Sequence, residues 1–125
     1  SNFTSTWNYL RNLNMQESDR ELLKLAARAA GVEIVRWNNS GCVPLIALKM
    51  GDLTYDVKAW NPLADDGDAL RLAVMAGIWI HPGEQDEYVK AVGVSAVYEP
   101  PGNAREAATR RAIVRAAAAI KRNMP

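Results

Sequence analysis

The sequence is poor in the residues that carry most enzyme chemistry. It has a single cysteine, Cys42, and a single histidine, His81, among its 125 residues. One cysteine excludes an intramolecular disulfide and a zinc site built from several thiolates. The sequence also has neither a GxGxxG pattern nor a P-loop with which to cradle phosphates. We therefore expect no metal site, no cofactor and no catalytic residues, so an enzyme is the less favoured class of protein for this chain.

Long apolar runs are missing too. No stretch approaches the roughly 20 residues that a membrane-spanning helix requires. Residues 1–14 lack the apolar stretch and the small-residue cleavage site of a secretory signal. The net charge of +1 gives no overall attraction to nucleic acid or to membranes. With 49% hydrophobic and 23% charged residues, the chain has the composition of one globular domain, for which a cytoplasmic location is expected.

The charges are unevenly distributed along the chain. Residues 52–87 contain eight acidic side chains and two basic ones, whereas residues 103–125 contain six basic side chains and one acidic one. An acidic middle and a basic tail can pair with each other, or they can face separate partners.

Three segments have the periodicity and the end signals of helices. Ser18 and Glu21 match a capping box before a stripe of leucine and alanine that ends at Gly31. The acidic residues 65–68 precede a second helix that ends at Gly77, and Asn103 is placed to cap a third. Residues 1–16 read as an N-terminal extension, and residues 17–125 as a single domain.

Alternating and β-branched segments predict the strands. Tight turns between the first three favour an antiparallel meander. The run at residues 45–48 predicts a strand buried on both faces. We expect an α+β fold in the order α-β-β-β-α-β-β-α, with an antiparallel sheet of about five strands covered by three helices in a helix/sheet/helix sandwich. The strand segments are residues 32–37, 43–50, 53–60, 78–80 and 88–98, the last with a bend at Gly93.

The segment WNPLADDGDALRLAV at residues 60–74 is long and unusual. Together with an early DRELLKLAARAAG helix and a terminal ATRRAIVRAAAAI helix, it resembles the phage ABA-sandwich, or NinX-like, proteins of phages and prophages of proteobacteria. The resemblance covers roughly residues 17–122. It implies helices that sandwich a sheet and an accessory role in the bacterial host, but it carries over no catalytic or binding residue.

Two clusters are candidates for binding sites. The first presents an amide and carboxylates that suit a protein partner or a hard cation, although capping and turn formation also explain each residue. It comprises Trp60, Asn61, Asp65, Asp66 and Asp68. The second presents basic side chains that suit nucleic-acid phosphates, although basic side chains near the C-terminal end of a helix also stabilise the helix through its dipole. It comprises Arg110, Arg111, Arg115, Lys121 and Arg122.

Tryptophan is the remaining signal, with four in the chain. Core packing is their ordinary role, and an exposed one, particularly Trp60 or Trp37, would mark a protein-binding surface. Cys42 and His81 are expected to be an inert thiol and a plain loop histidine.

The main hypothesis is a non-enzymatic phage accessory protein in the host cytoplasm that binds a host protein, with counter-defence such as inhibition of a CRISPR effector as a concrete form. Nucleic-acid binding through the last helix is the alternative. A small enzyme or ligand-binding domain, with a pocket formed by Asn61, Asp65 or His81, comes third. The sequence leaves the oligomeric state open.

Overall fold

The computed structural model describes residues 19–50, 54–84, 87–102 and 104–122. The described residues confirm the α+β class with three helices, and none of these helices is long and apolar enough to cross a membrane. The helices are α1 (residues 19–30), α2 (Asp66–Ala76) and α3 (Arg105–Arg122), and the strands are β1 (Ile34–Trp37), β2 (Pro44–Met50), β3 (Thr54–Ala59), β4 (Trp79–His81), β5 (Val89–Val92) and β6 (Ala96–Glu99). The predicted N-terminal extension and the caps at Ser18 and Asn103 lie outside the described residues.

The strands form two antiparallel sheets rather than one sheet of about five strands. Sheet A has the order β1-β2-β3, and sheet B has the order β4-β5-β6. The single-sheet prediction is wrong because, among the described residues, no strand of sheet A pairs with a strand of sheet B. The number of strands also differs, since residues 88–98 are a hairpin and not one bent strand. The turn is closed by the Gly93 amide, which donates to the Ser95 carbonyl at 3.2 Å.

Gly93 allows this hairpin to approach α3 closely. A Cβ atom at this position would lie 3.0 Å from Ile78 Cδ1 and 3.3 Å from the Ala116 carbonyl oxygen. A side chain at this position is therefore in tight contact, and Ile78 or the α3 backbone has to shift to admit it. The turn and the close packing together explain the glycine that sequence alone marked only as a bend.

The core lies around α3, which packs against α2, β5 and β6. Small side chains on α3 permit close contact, because Ala112, Ala116 and Ala117 are completely buried. Buried residues of α1, including Leu23 and Ala26, belong to the same apolar cluster. One core thus joins all three helices to the inner face of sheet B.

Sheet A is covered less well than its sequence predicted. Ile34 and Ile46 pack against the core, but Leu45 and Ala47 are only half-buried and Leu48 is exposed. The expectation that residues 45–48 are buried on both faces is therefore wrong for the single chain. An apolar central strand remains partly open to solvent.

Helix α2 has well-formed ends. Asp65 is the N-cap residue, as the sequence indicated, and its carboxylate accepts a hydrogen bond from the Asp68 amide at 2.8 Å. Gly77 ends the helix with φ of 71°, a left-handed conformation that favours glycine. These caps fix where α2 begins and where the chain turns into β4.

Candidate functional site

The first candidate cluster mainly shapes the local fold, and we call it the acidic cluster: Trp60, Asn61, Asp65, Asp66 and Asp68. Trp60 is buried, and the backbone amide of Asn61 donates to Asp68 Oδ2 at 2.9 Å. The Asn61 side chain in turn accepts from the Leu63 amide at 3.2 Å. These bonds shape the turn between β3 and α2, so the side chains of Trp60 and Asp68 cannot reach a partner while this segment is folded.

The carboxylates of the cluster are also neutralised within the chain. Asp68 is buried and accepts from Arg71 Nη2 at 2.9 Å. Asp66 pairs with Arg110 Nη1 of α3 at 2.6 Å, although the Asp66 side chain itself is exposed. Asp65 caps α2 and lies 4.0 Å from Arg71. Each of these carboxylates thus lies near a basic side chain or a helix N-terminus. The cluster therefore does not present a surface of purely negative charge.

Three of the basic candidates on α3 have partners inside the protein. Arg110 donates to the Leu63 carbonyl at 2.9 Å as well as to Asp66. Arg115 donates to the Tyr98 carbonyl at 3.1 Å and to Glu99 at 2.8 Å. These side chains fasten α3 to its neighbours, and the same bonds engage part of the donors that a phosphate would need.

Arg111 is the most firmly held of the basic residues. Its two terminal nitrogens donate to the two carboxylate oxygens of Asp19 in α1, at 2.9 and 3.0 Å. This hydrogen bonding raises the pKa of Arg111 above its ordinary value. Lys121 and Arg122 lie in the last turn of α3, where the negative end of the helix dipole stabilises cations.

Cys42 and His81 lie apart from any catalytic grouping. Cys42 is an exposed thiol whose Sγ is 3.7 Å from the Ser40 carbonyl oxygen. His81 is exposed at the end of β4, opposite Lys90 in the register of sheet B. Across the described ranges, no three histidine, cysteine or acidic residues are grouped so as to hold a metal ion.

Among the side chains that the structure describes, the large exposed aromatic ones lie on the outer side of sheet B. Cross-strand partners share a face, and Ile80, Ala91 and Val97 are partners on the inner, core-packed face. The alternate residues point outward: Trp79 is 73% exposed and Tyr98 is 53% exposed. We call Trp79, Tyr88, Lys90 and Tyr98 the aromatic face.

A basic group lies within the aromatic face. Lys90 Nζ is 5.7 Å from the centroid of the Tyr98 ring, within the range of a cation–π contact. A shallow cleft of about 420 Å³ surrounds this pair. It is lined by His81, Gly83, Glu87, Tyr88, Lys90 and Tyr98.

A second group of exposed apolar side chains lies on α2. Leu70, Val74 and Met75 are exposed on α2, with Val74 at 74%, and we call them the α2 apolar face. Leu70 and Val74 are one helical turn apart and therefore share a side of the helix. Only Gly77 and Ile78 separate the end of α2 from Trp79, so this face and the aromatic face adjoin along the chain.

The two tryptophans at which exposure would have marked a binding surface are not exposed. Trp60 is buried, and Trp37 is half-buried beneath Arg20, whose guanidinium carbon is 4.5 Å from its ring centroid. Of the three tryptophans that the structure describes, Trp79 is the exposed one. The alternation of Ile78, Trp79 and Ile80 was the available signal, because two buried isoleucines put the residue between them on the opposite face.

Comparison with known proteins gave no relatives. No family model matches the chain, and neither a curated protein nor a solved structure matches it.

Proposed function

We propose that this domain is a non-enzymatic binding module and that a protein partner docks on the aromatic face. The observation that carries the proposal is the exposure of Trp79 and Tyr98 on the outer face of one three-stranded sheet, where Lys90 is the cross-strand neighbour of Tyr98. Large aromatic side chains gain most from burial and are enriched where proteins bind each other.

The charges near the aromatic face favour protein over nucleic acid. Lys90 is a single lysine on this face, and the exposed Glu84 and Glu87 lie in the loop that borders it. Phosphates would be repelled by these carboxylates, and Arg110 and Arg115 are bound elsewhere. A partner with an apolar centre and a carboxylate opposite Lys90 fits this arrangement.

The resemblance to phage proteins supports a host protein as the partner. Counter-defence, including inhibition of a CRISPR effector, is a concrete form of such an activity in the bacterial cytoplasm. Imitation of nucleic acid by the acidic cluster has little support, because Asp66 and Asp68 are paired with arginines of the same chain. Contact through aromatic side chains is the better-supported mode.

The test compares capture of host proteins by three purified forms of the chain. The wild type and Asp66→Ala, which changes an exposed acid away from the aromatic face, should recover the same protein. The double variant Trp79→Ala/Tyr98→Ala should lose it, and calorimetry with the purified partner should show affinity reduced by about 30-fold or more. Unchanged binding by the folded double variant, or no specific capture by the wild type at low salt, contradicts the proposal.

A further inference from the structure

Four strands form the edges of the two sheets, and in the part of the chain that the structure describes three of them are unsuited to pairing with another strand. β4 has only three residues, and β1 has four with a register shift between Ile34 and Arg36. On β6, the Tyr98 carbonyl is already bonded to Arg115. β3 is different, because its six residues pair with β2 in an unbroken register. Long, regular edges are the ones that accept a further strand.

The backbone groups on the open edge of β3 can be identified from the pairing with β2. The Trp60 amide donates to the Pro44 carbonyl at 3.0 Å, and antiparallel bonding alternates along a strand. Residues 56 and 58 therefore bond to β2, whereas residues 55, 57 and 59 direct their backbone groups to the outer edge. The Val57 amide agrees, since it donates to the side chain of Asp56 and not to β2.

We propose that two copies of this chain associate through β3, in antiparallel pairing about a two-fold axis at Val57. In this register the Val57 amide of each copy donates to the Val57 carbonyl of the other. The outward backbone groups of residue 55 then meet those of residue 59 in the second copy. The two copies of sheet A become one six-stranded sheet, and every bond uses a group that faces outward in the single chain.

The side chains select a second copy of this chain as the occupant. The same register places Asp56 opposite Lys58 of the other copy and Lys58 opposite Asp56. Both side chains are exposed, and they flank Val57, which is 39% exposed. These positions form non-hydrogen-bonded pairs, in which opposing side chains come closest. Opposite charges at such positions stabilise the pairing, and the two-fold axis supplies this complementarity twice.

Asp56 also explains how the single chain tolerates this edge. Its Oδ1 accepts the hydrogen bond from the Val57 amide at 2.9 Å, so an outward donor is satisfied locally. On association the Val57 amide donates instead to the Val57 carbonyl of the second copy. The Asp56 carboxylate can then pair with Lys58 of that copy. The exchange replaces one local bond by a backbone bond and an ion pair.

Sedimentation equilibrium over low to high micromolar concentration provides the test. The wild type should show a reversible monomer–dimer equilibrium. Asp56→Lys and Lys58→Asp should each weaken the dimer by at least about tenfold, because each variant sets like charges opposite each other. An equimolar mixture of these two variants should restore association, since lysines on one chain then face aspartates on the other.

Two further variants separate the edge from general effects on folding. The double variant Asp56→Lys/Lys58→Asp should dimerise like the wild type. Val57→Pro should abolish the dimer but keep the monomer folded by circular dichroism, because the lost amide does not bond to β2 and proline is tolerated at a sheet edge. A wild type that stays monomeric at every concentration, or a mixture of single variants that does not associate, overturns the proposal.

Discussion

Arg111 in α3 and Asp19 in α1 are joined by two parallel hydrogen bonds of 2.9 and 3.0 Å. They lie 92 residues apart in sequence, so this pair ties the start of the described chain to its last helix. Both side chains are about one-third exposed, which leaves the pair partly screened by solvent. The contact is therefore a moderate stabiliser that fixes how the two helices are arranged.

Replacing Arg111 by lysine should destabilise the fold, because lysine cannot reproduce the two-pronged contact. We expect a coupling free energy of about 1 kcal/mol between Arg111 and Asp19 in a double-mutant cycle with Asp19→Asn. Urea unfolding of the four proteins measures it. A coupling near zero would show that the pair contributes nothing.

The pH dependence of this pair follows from the raised pKa of Arg111. A raised pKa means that the stabilisation is fully present below the ordinary arginine value and is lost only as pH rises through the raised one. We therefore expect the Arg111→Lys difference in unfolding free energy to stay constant between neutral pH and moderately alkaline pH. A difference that disappears within that range contradicts the assignment.

Three neighbouring acids should differ sharply in their effect on stability. Asp68→Ala removes a buried acceptor of the Asn61 amide and the partner of Arg71, so we expect a loss of about 2–3 kcal/mol. Asp65→Ala removes the cap of α2, at a cost of about 1 kcal/mol. Asp66→Ala removes only an exposed ion pair and should cost about 0.5 kcal/mol. Thermal unfolding gives the ranking, and an equal loss at all three positions would disprove it.

These acids also show how far sequence analysis reaches. The composition at residues 65–68 was sufficient to predict a helix start, because capping is a local interaction. The bond from the Asn61 amide to Asp68 was not predictable, since it depends on how the chain folds back after Pro62. Whether residues 60–68 serve as a binding surface or as a turn therefore depends on tertiary contacts that the sequence does not reveal.

The two sheets illustrate the same limit on a larger scale. The sequence predicted strands at residues 78–80 and 88–98, but the pattern could not say which strands pair, because period-two patterns are the same in every sheet. For the same reason the sequence did not predict that the chain reverses at Gly93 to form a hairpin. Only contact with α3 shows why a side chain is excluded there.

Gly93→Ala should destabilise the protein by about 1–3 kcal/mol, because the new methyl group meets Ile78 and the backbone of α3. Ile78→Val removes the Cδ1 atom at 3.0 Å and should cost about 1 kcal/mol by itself. In the double variant the two losses should sum to less than their separate values. Strict additivity in chemical denaturation would show that this contact is not the source of the loss.

The aromatic face should be dispensable for folding. Trp79→Ala and Tyr98→Ala alter exposed side chains, so we expect changes in unfolding free energy of about 0.5 kcal/mol or less. Trp60→Ala, at a buried tryptophan, is the matched comparison and should cost about 3–5 kcal/mol. A large loss from Trp79→Ala would mean that this residue serves the core.

The bond from Arg115 to the Tyr98 carbonyl has a consequence for growth into larger assemblies. A strand that is blocked by a guanidinium group cannot act as a template, so addition of further molecules along sheet B stops at β6. Replacing Arg115 by alanine would uncover that carbonyl next to an exposed tyrosine. Arg115→Ala should therefore make β6 more prone to accept a strand from another molecule than it is in the wild type.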